Sequence, residues 1–229
     1  RRVNRERERL LKERNAHRQR IKSLLVLQGT VLTSLKGFAQ AIEDLRGAEG
    51  QPLPAQLKAE LLREYSRYEL VSDQLRELER QMNQALQESD SAAAALSRQL
   101  YQLQGLGLIS SWLFSHEFFA WRHFRNRRQV GSSAGLTPTP YHSGSSEVEQ
   151  GISKAGNKRV RSLAIEVAWL WLRYQSQSAL SRWYQERFAQ GGKRLRRIGI
   201  VALARKLLVA LWKYVEFGLV PEGAVFKAA

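Results

Sequence analysis

Between Leu57 and Leu103 apolar residues recur in alternating steps of three and four: Leu57, Leu61, Tyr68, Val71, Leu75, Leu78, Met82, Ala85, Ala92, Leu96 and Leu103. Polar Glu64, Ser89 and Gln99 fill the skipped positions. This is the seam of a coiled coil. It predicts a helix from Pro54 to about Gln104, roughly 75 Å long at 1.5 Å per residue. A helix of that length in a 229-residue chain needs a second helix along its seam, from the same chain or from another subunit.

A local partner precedes it. His17, Ile21, Leu24, Gln28, Val31, Leu35, Phe38, Ile42 and Leu45 keep the same alternation, although Gly29 and Gly37 weaken the helix that contains them. Gly47, Gly50, Pro52 and Pro54 mark the turn. Residues 1–104 therefore read as a helical arm that folds back on itself or dimerises, a spacer and an oligomerisation element being equally consistent with the pattern.

Charge narrows the partners. Lys and Arg total 37 against 21 Asp and Glu, a formal charge of +16 and a pI near 10.6. Such an excess favours a polyanion through phosphate contacts and counterion release. The first helix opens with Arg1, Arg2, Arg5, Arg7 and Arg9 against few acids, and that net excess tips a solvated face toward a nucleic-acid contact. There is no cysteine, which excludes disulfides and cysteine metal clusters, and the four histidines lack metal-site spacing. The longest apolar run, Ile198 to Trp212, holds Arg205 and Lys206 near its middle, so it reads as a buried amphipathic helix and not a membrane span. No secretory signal opens the chain, which fits the cytoplasm. The start, RRVNRERERLLKER, lies already inside a helical charge pattern and reads as the interior of a longer protein.

Composition changes at Gly105. Residues 105–229 carry all six tryptophans and the larger Gly/Ser loops, as a packed domain would. LQGLGLISSWLF, Leu103 to Phe114, has the glycine pattern of a turn between helices. Helical spacing of Leu163, Val167, Leu170, Trp171 and Tyr174, and of Val201, Ala204, Leu208, Leu211, Trp212 and Val215, marks core faces.

Three basic clusters stand out in this domain. RHFRNRRQVG interleaves Arg122, Arg125, Arg127 and Arg128 with His123 and Phe124, which suits a nucleic-acid backbone and its bases, or else a helix end favoured by its dipole. PYHSGSSEVEQGISKAGN, Pro140 to Asn157, is a hydroxyl-rich irregular loop, with Ser153 expected to cap a helix running to Tyr174. Lys154, Lys158, Arg159 and Arg161 would then occupy its first turns, where positive charge is unfavourable unless an anion sits there. In GGKRLRR, Lys193, Arg194, Arg196 and Arg197 suit phosphate contact or a solvated loop.

NRRQVGSSAGLTPTPYHSGSSEVEQGISKAGNKRVRSLAIEVAWLWLRYQ, Asn126 to Gln175, and RRIGIVALARKLLVALWKYVEFGLVPEGAV, Arg196 to Val225, resemble the C-terminal domain of transposases of the insertion-sequence 110/1111 group. RERERLLKERNAHRQRIKSLLVLQGT, Arg5 to Thr30, is similar to that family's linking helix. The resemblance implies a DNA recombinase in which an N-terminal RuvC-like domain with acidic Mg²⁺ ligands, absent from this sequence, precedes a coiled coil and a serine domain. It implies an element-encoded guide RNA that selects target and donor DNA. The family's Ser-Gly pair falls on Ser143 and Gly144, making Ser143 the nucleophile, with Ser145 and Ser146 as neighbours, while no metal ligand is assigned in this chain.

The expected chain is therefore mainly α: a coiled-coil arm over residues 1–104, then a compact mostly α transposase domain over 105–229 with an irregular serine loop. Its expected function is RNA-guided strand exchange by Ser143, in a homo-oligomer where one subunit's metal domain completes another's serine site. A cytoplasmic, nucleoid-associated protein without membrane contact would follow. The reading from another class is a non-catalytic nucleic-acid-binding and oligomerisation module.

Overall fold

The seam that predicts one helix from Pro54 to Gln104 is carried by two. In the computed structural model, which describes residues 1–143 and 146–228 and only the backbone over 140–150, α3 spans Ala55–Glu88 and α4 spans Ala92–Tyr101. The break falls on Ser89, Asp90 and Ser91, whose short polar side chains favour caps over helix interiors. Ser91 Oγ accepts from Ala94 N at 3.2 Å to open α4. Arg98 donates Nη1 to the carbonyls of Leu86 and Ser89, both at 2.9 Å, and so satisfies the end of α3.

The chain divides into two compact units, Arg1–Gln81 and Met82–Ala229. In the first, α1 (Arg2–Val26) lies antiparallel to α3, since Arg7 pairs with Glu79 and His17 with Glu64. Ile21, Leu25, Leu61 and Tyr65 join Leu35, Phe38, Ile42 and Leu53 in one buried cluster. The expected continuation of the first helix to Leu45 is corrected here: α1 stops at Val26, and only a short α2, Phe38–Ala41, follows. Gly29 is the reason. It adopts φ +76°, and a Cβ there would collide with Ala48, whose N–H donates to the Gln28 carbonyl at 2.8 Å. Val31, expected on the seam, is instead exposed.

One polar cluster is buried in this unit. Glu64, 6% exposed, accepts from His17 Nδ1, Arg20 Nη1 and Arg67 Nη1 at 2.6–2.7 Å. Burial alone would raise its pKa, but the hydrogen bonds from His17 and Arg20 and their charges outweigh burial and hold the carboxyl down at about 2.

In the second unit α4 packs with α5 (Leu108–Phe114), and α7 (Lys158–Tyr174) packs along α9 (Lys193–Phe217). Leu100, Phe114, Phe118, Trp171, Leu203 and Leu208 are fully or almost fully buried in their shared core. Trp171 and Trp212 are core residues, as their spacing predicts. A π-helical turn, Ser115–Phe119, follows α5 and turns Phe118 and Phe119 inward. Buried Gln175 donates to the carbonyls of Gln104 and Val225 and accepts from Val225 N, tying the C-terminal segment to the turn after α4. Short helices α6 (Arg127–Ser133) and α8 (Ala179–Tyr184) complete the unit.

Candidate nucleic-acid interface around the serine hairpin

The stretch expected as an irregular loop is a two-stranded antiparallel hairpin. β1 (Pro138–Ser143) pairs with β2 (Ser146–Ile152), from Pro138 opposite Ile152 to Ser143 opposite Ser146. Both are edge strands, so Pro138 and Pro140 remove no obligatory ladder bond, and the register is irregular between them. Ser143 is the last residue of β1, beside the reversal. Its side chain, like those of His142, Ser146, Glu147 and Glu149, lies outside the described residues, as do Gly144 and Ser145 altogether.

Backbone contacts fix the foot of the hairpin. Ser153 N donates to Thr137 O at 2.9 Å, Lys154 N to Gly135 O at 3.2 Å and Asn157 N to Ser133 O at 2.9 Å. These bring the segment leaving β2 against the turn that enters β1. Gly156, at φ +105°, is required there, because a Cβ would strike the Ser133 carbonyl. Arg161 Nη1 donates to the carbonyls of Ala134 and Lys154, at 3.2 and 2.8 Å.

Two sequence expectations change at this point. The cap of α7 is Asn157 and not Ser153: Asn157 Oδ1 accepts from Arg159 N and Val160 N, at 3.0 and 3.2 Å. Lys154 therefore stands outside the helix, where it is exposed and holds φ at +56°. Ser153 N is committed to Thr137 in the extension of the hairpin, which leaves the helix to start four residues later. Lys158 and Arg159 do open α7, both exposed, while the Arg161 guanidinium faces the foot of the hairpin.

The cations that converge do so on α9. A groove of about 670 Å³ runs between the hairpin foot, at Pro138, Gly151 and Ile152, and the face of α9 carrying Lys193, Arg194, Arg197 and Arg205. A second, of about 560 Å³, is bordered by Arg127 and Arg128 of α6 and by Arg205, Lys206 and Lys213 of α9. Arg205 belongs to both, and its stem lies about 3.5 Å from where a Cβ on Gly131 would sit. Lys206 Nζ stands 4.6 Å from the centroid of the Trp183 ring.

Of the sequence-predicted basic residues, Lys193, Arg194, Arg197, Arg127 and Arg128 thus share one face through Arg205. Arg122, Arg125, Arg196, Lys154, Lys158, Arg159 and Arg161 do not line these grooves. Arg122 lies 4.4 Å over the Trp121 ring, and Arg125 N donates to Gln129 Oε1. Sequence reasoning missed Arg205, Lys206 and Lys213. The signal for Arg205 and Lys213 is the four-residue step through Arg197, Val201, Arg205, Val209 and Lys213, which sets all five along one ridge of a helix, whereas Lys206 lies off that step.

The arrangement can follow a polyanionic backbone for the length of α9. Among the described residues no group of three His, Asp or Glu converges on a metal site. No helix among them is long and apolar enough to cross a membrane.

A family model described as Transposase IS116/IS110/IS902 family matches residues 97–185, from α4 through the hairpin to α8. The putative transposase y4rJ of Sinorhizobium fredii is 46% identical over 237 residues, covering 99% of this chain and 60% of the relative. A probable family 20 transposase of Pseudomonas aeruginosa is 31% identical, covering 92% of this chain and 61% of the relative. The transposase for insertion sequence element IS1328 of Yersinia enterocolitica is 28% identical over 75% of this chain and 50% of its own length. The chain thus spans between 50% and 61% of the length of these curated relatives. On the strength of the matched segment and the end-to-end relative, the chain belongs to the IS116/IS110/IS902 transposase family.

Proposed function

We propose that this chain carries the strand-transfer serine and the backbone-gripping face of an RNA-guided DNA recombinase. The observation that carries the reading is the hairpin: Ser143 ends β1 at the reversal, while the strands' other ends abut the cationic grooves of α9. Ser143 lies five residues beyond Pro138, roughly 16 Å at strand rise. The cations of the foot and of α9 therefore grip phosphates flanking the one attacked, and do not neutralise the transition state themselves. A serine hydroxyl needs a base, and cations at the phosphorus, to react. No metal set is assembled among the described residues, and in this reading those groups come from a Mg²⁺-binding domain of the same or another subunit in a homo-oligomer.

In this reading Ser143 Oγ attacks phosphorus as its proton leaves to that external base. The new Oγ–P bond forms as the bond to one bridging oxygen breaks, and the departing strand end takes up a proton. The protein-linked end then waits for the hydroxyl of the partner strand, whose attack restores the serine. The guide RNA would choose the strands, and the α9 face would hold them.

The test uses the protein at the full length of its relatives, with the element's RNA, Mg²⁺ and a nicked DNA substrate. A protein–DNA adduct that survives denaturation and disappears in Ser143→Ala is the expected result. An adduct that persists in Ser143→Ala moves the nucleophile elsewhere. No adduct from a protein that binds DNA well would favour the binding and oligomerisation module.

A further inference from the structure

The arm contains a groove that neither a spacer nor a dimerisation element requires. It has a volume of about 630 Å³ and lies wholly within the first unit, between α1, the 33–36 segment and α3. Arg14 and Arg18 come from α1, Lys36 from the segment before α2, and Arg76 from α3. Its two carboxylates are engaged elsewhere: Asp73 pairs with Arg76, and Glu69 hydrogen bonds with the Tyr65 phenol, which burial and then Glu69 hold above its ordinary pKa. Arg14, Arg18 and Lys36 have no carboxylate partner among the described residues. Four cations against two satisfied acids leave a net charge of +2 around a hollow, a costly arrangement unless an anion enters it.

The groove is also furnished for a base. Tyr65 and Tyr68 lie 6.1 Å apart at 22°, close to parallel. Tyr65 is buried among Phe38 and its neighbours, whereas Tyr68 is partly exposed and lines the groove. A partly exposed ring beside a near-parallel one is a stacking platform, and cations lining the same groove suit the phosphate that such a base carries. Ser34 and Ser72 add hydroxyls beside it.

We propose that this groove binds one nucleotide unit of a single-stranded nucleic acid, its base on Tyr68 and its phosphate on Arg14, Arg18 and Lys36. In the function proposed above, unpaired strands occur as DNA ends and as segments of the guide RNA, and both present the same phosphate and base chemistry. The proposal does not depend on Ser143, because no residue of the second unit takes part.

The test irradiates the whole chain with mixed-sequence 12-nucleotide strands carrying 5-iodouracil, one as DNA and one as RNA, and maps the cross-linked peptide by mass spectrometry. A photoadduct on Tyr68 is expected, and which strand gives the higher yield identifies the source. In Arg14→Gln/Arg18→Gln/Lys36→Gln that adduct falls about tenfold, and the salt slope of single-strand binding shrinks by about 0.7, for the one phosphate lost. The urea midpoint of the triple variant, expected at the parent value, controls for folding, and Tyr68→Ala, which removes the ring, abolishes the adduct. Adducts confined to the second unit, or a triple variant with unchanged Tyr68 yield and slope, overturn the proposal.

Discussion

Arg161 Nη1 donates to the carbonyl of Lys154 at 2.8 Å, across the foot of the serine hairpin. The sequence places both residues in the first turns of one helix, as ligands of one anion. The structure gives them different positions, with one guanidinium bracing the backbone and one ammonium on an exposed, left-handed residue.

Arg161→Gln should therefore act on the fold before it acts on DNA binding. It leaves the carbonyls of Ala134 and Lys154 without that donor, at a cost of about 1–3 kcal/mol. The log–log salt slope of DNA binding should stay at the parent value. Chemical denaturation and a salt titration check the two halves, and a smaller slope would return Arg161 to the list of phosphate contacts.

Lys154→Gly separates strain from use. A non-glycine residue at φ +56° costs on the order of 1 kcal/mol, which glycine avoids. The variant should unfold at a slightly higher urea concentration while binding DNA less tightly. Equal binding would show that the ammonium takes no part, and lower stability would show that its stem packs.

Gly156→Ala probes the lock itself. The added methyl meets the Ser133 carbonyl in a backbone region closed to L residues, so the hairpin foot must open. We expect a loss of about 2 kcal/mol or more and a melting temperature lower by several degrees. An unchanged melting temperature would mean that the 133–157 contact is dispensable.

These positions also show what was legible in the sequence. Periodicity located the seam, because Leu61, Val71, Leu75, Leu78 and Met82 are buried on one side of α3. It overrode a local signal that was equally present: Ser-Asp-Ser at 89–91 prefers caps, and the helix breaks there. Gly29 was noted only as a weak helix former, whereas its close approach to Ala48 depends on a residue nineteen positions away. The hairpin is hidden by two prolines that edge strands tolerate, Arg205 and Lys206 by the apolar run Ile198 to Trp212 that surrounds them, and Lys213 by standing just past its end. Nothing in the spacing of Arg14, Lys36 and Tyr68 announced a groove, since three separate segments form it.

Arg205 joins the two grooves, so it should dominate the electrostatics of duplex binding. Arg205→Gln is expected to reduce the salt slope by about 0.9 for each phosphate it holds, and Arg205→Lys to restore the slope while losing the bidentate fork. Arg125→Gln, which lies outside both grooves, serves as the comparison. Equal effects from Arg205→Gln and Arg125→Gln would mean that charge acts diffusely and not along α9.

Glu64 sets a pH limit on the first unit. Its folded pKa of about 2 lies below the ordinary 4.5, so the ionised form is bound more tightly in the folded state. The stability it contributes is present above pH 4.5 and is lost progressively as pH falls toward 2. The difference corresponds to on the order of 3 kcal/mol, an upper figure because Arg20 and Arg67 are half-exposed and screened. Urea unfolding of the parent chain should weaken between pH 5 and 3, while Glu64→Gln, less stable at pH 7, should lose less over the same interval. Parallel curves for the two proteins would show that other carboxylates govern acid unfolding and that the His17–Glu64–Arg20 cluster fixes geometry without adding stability.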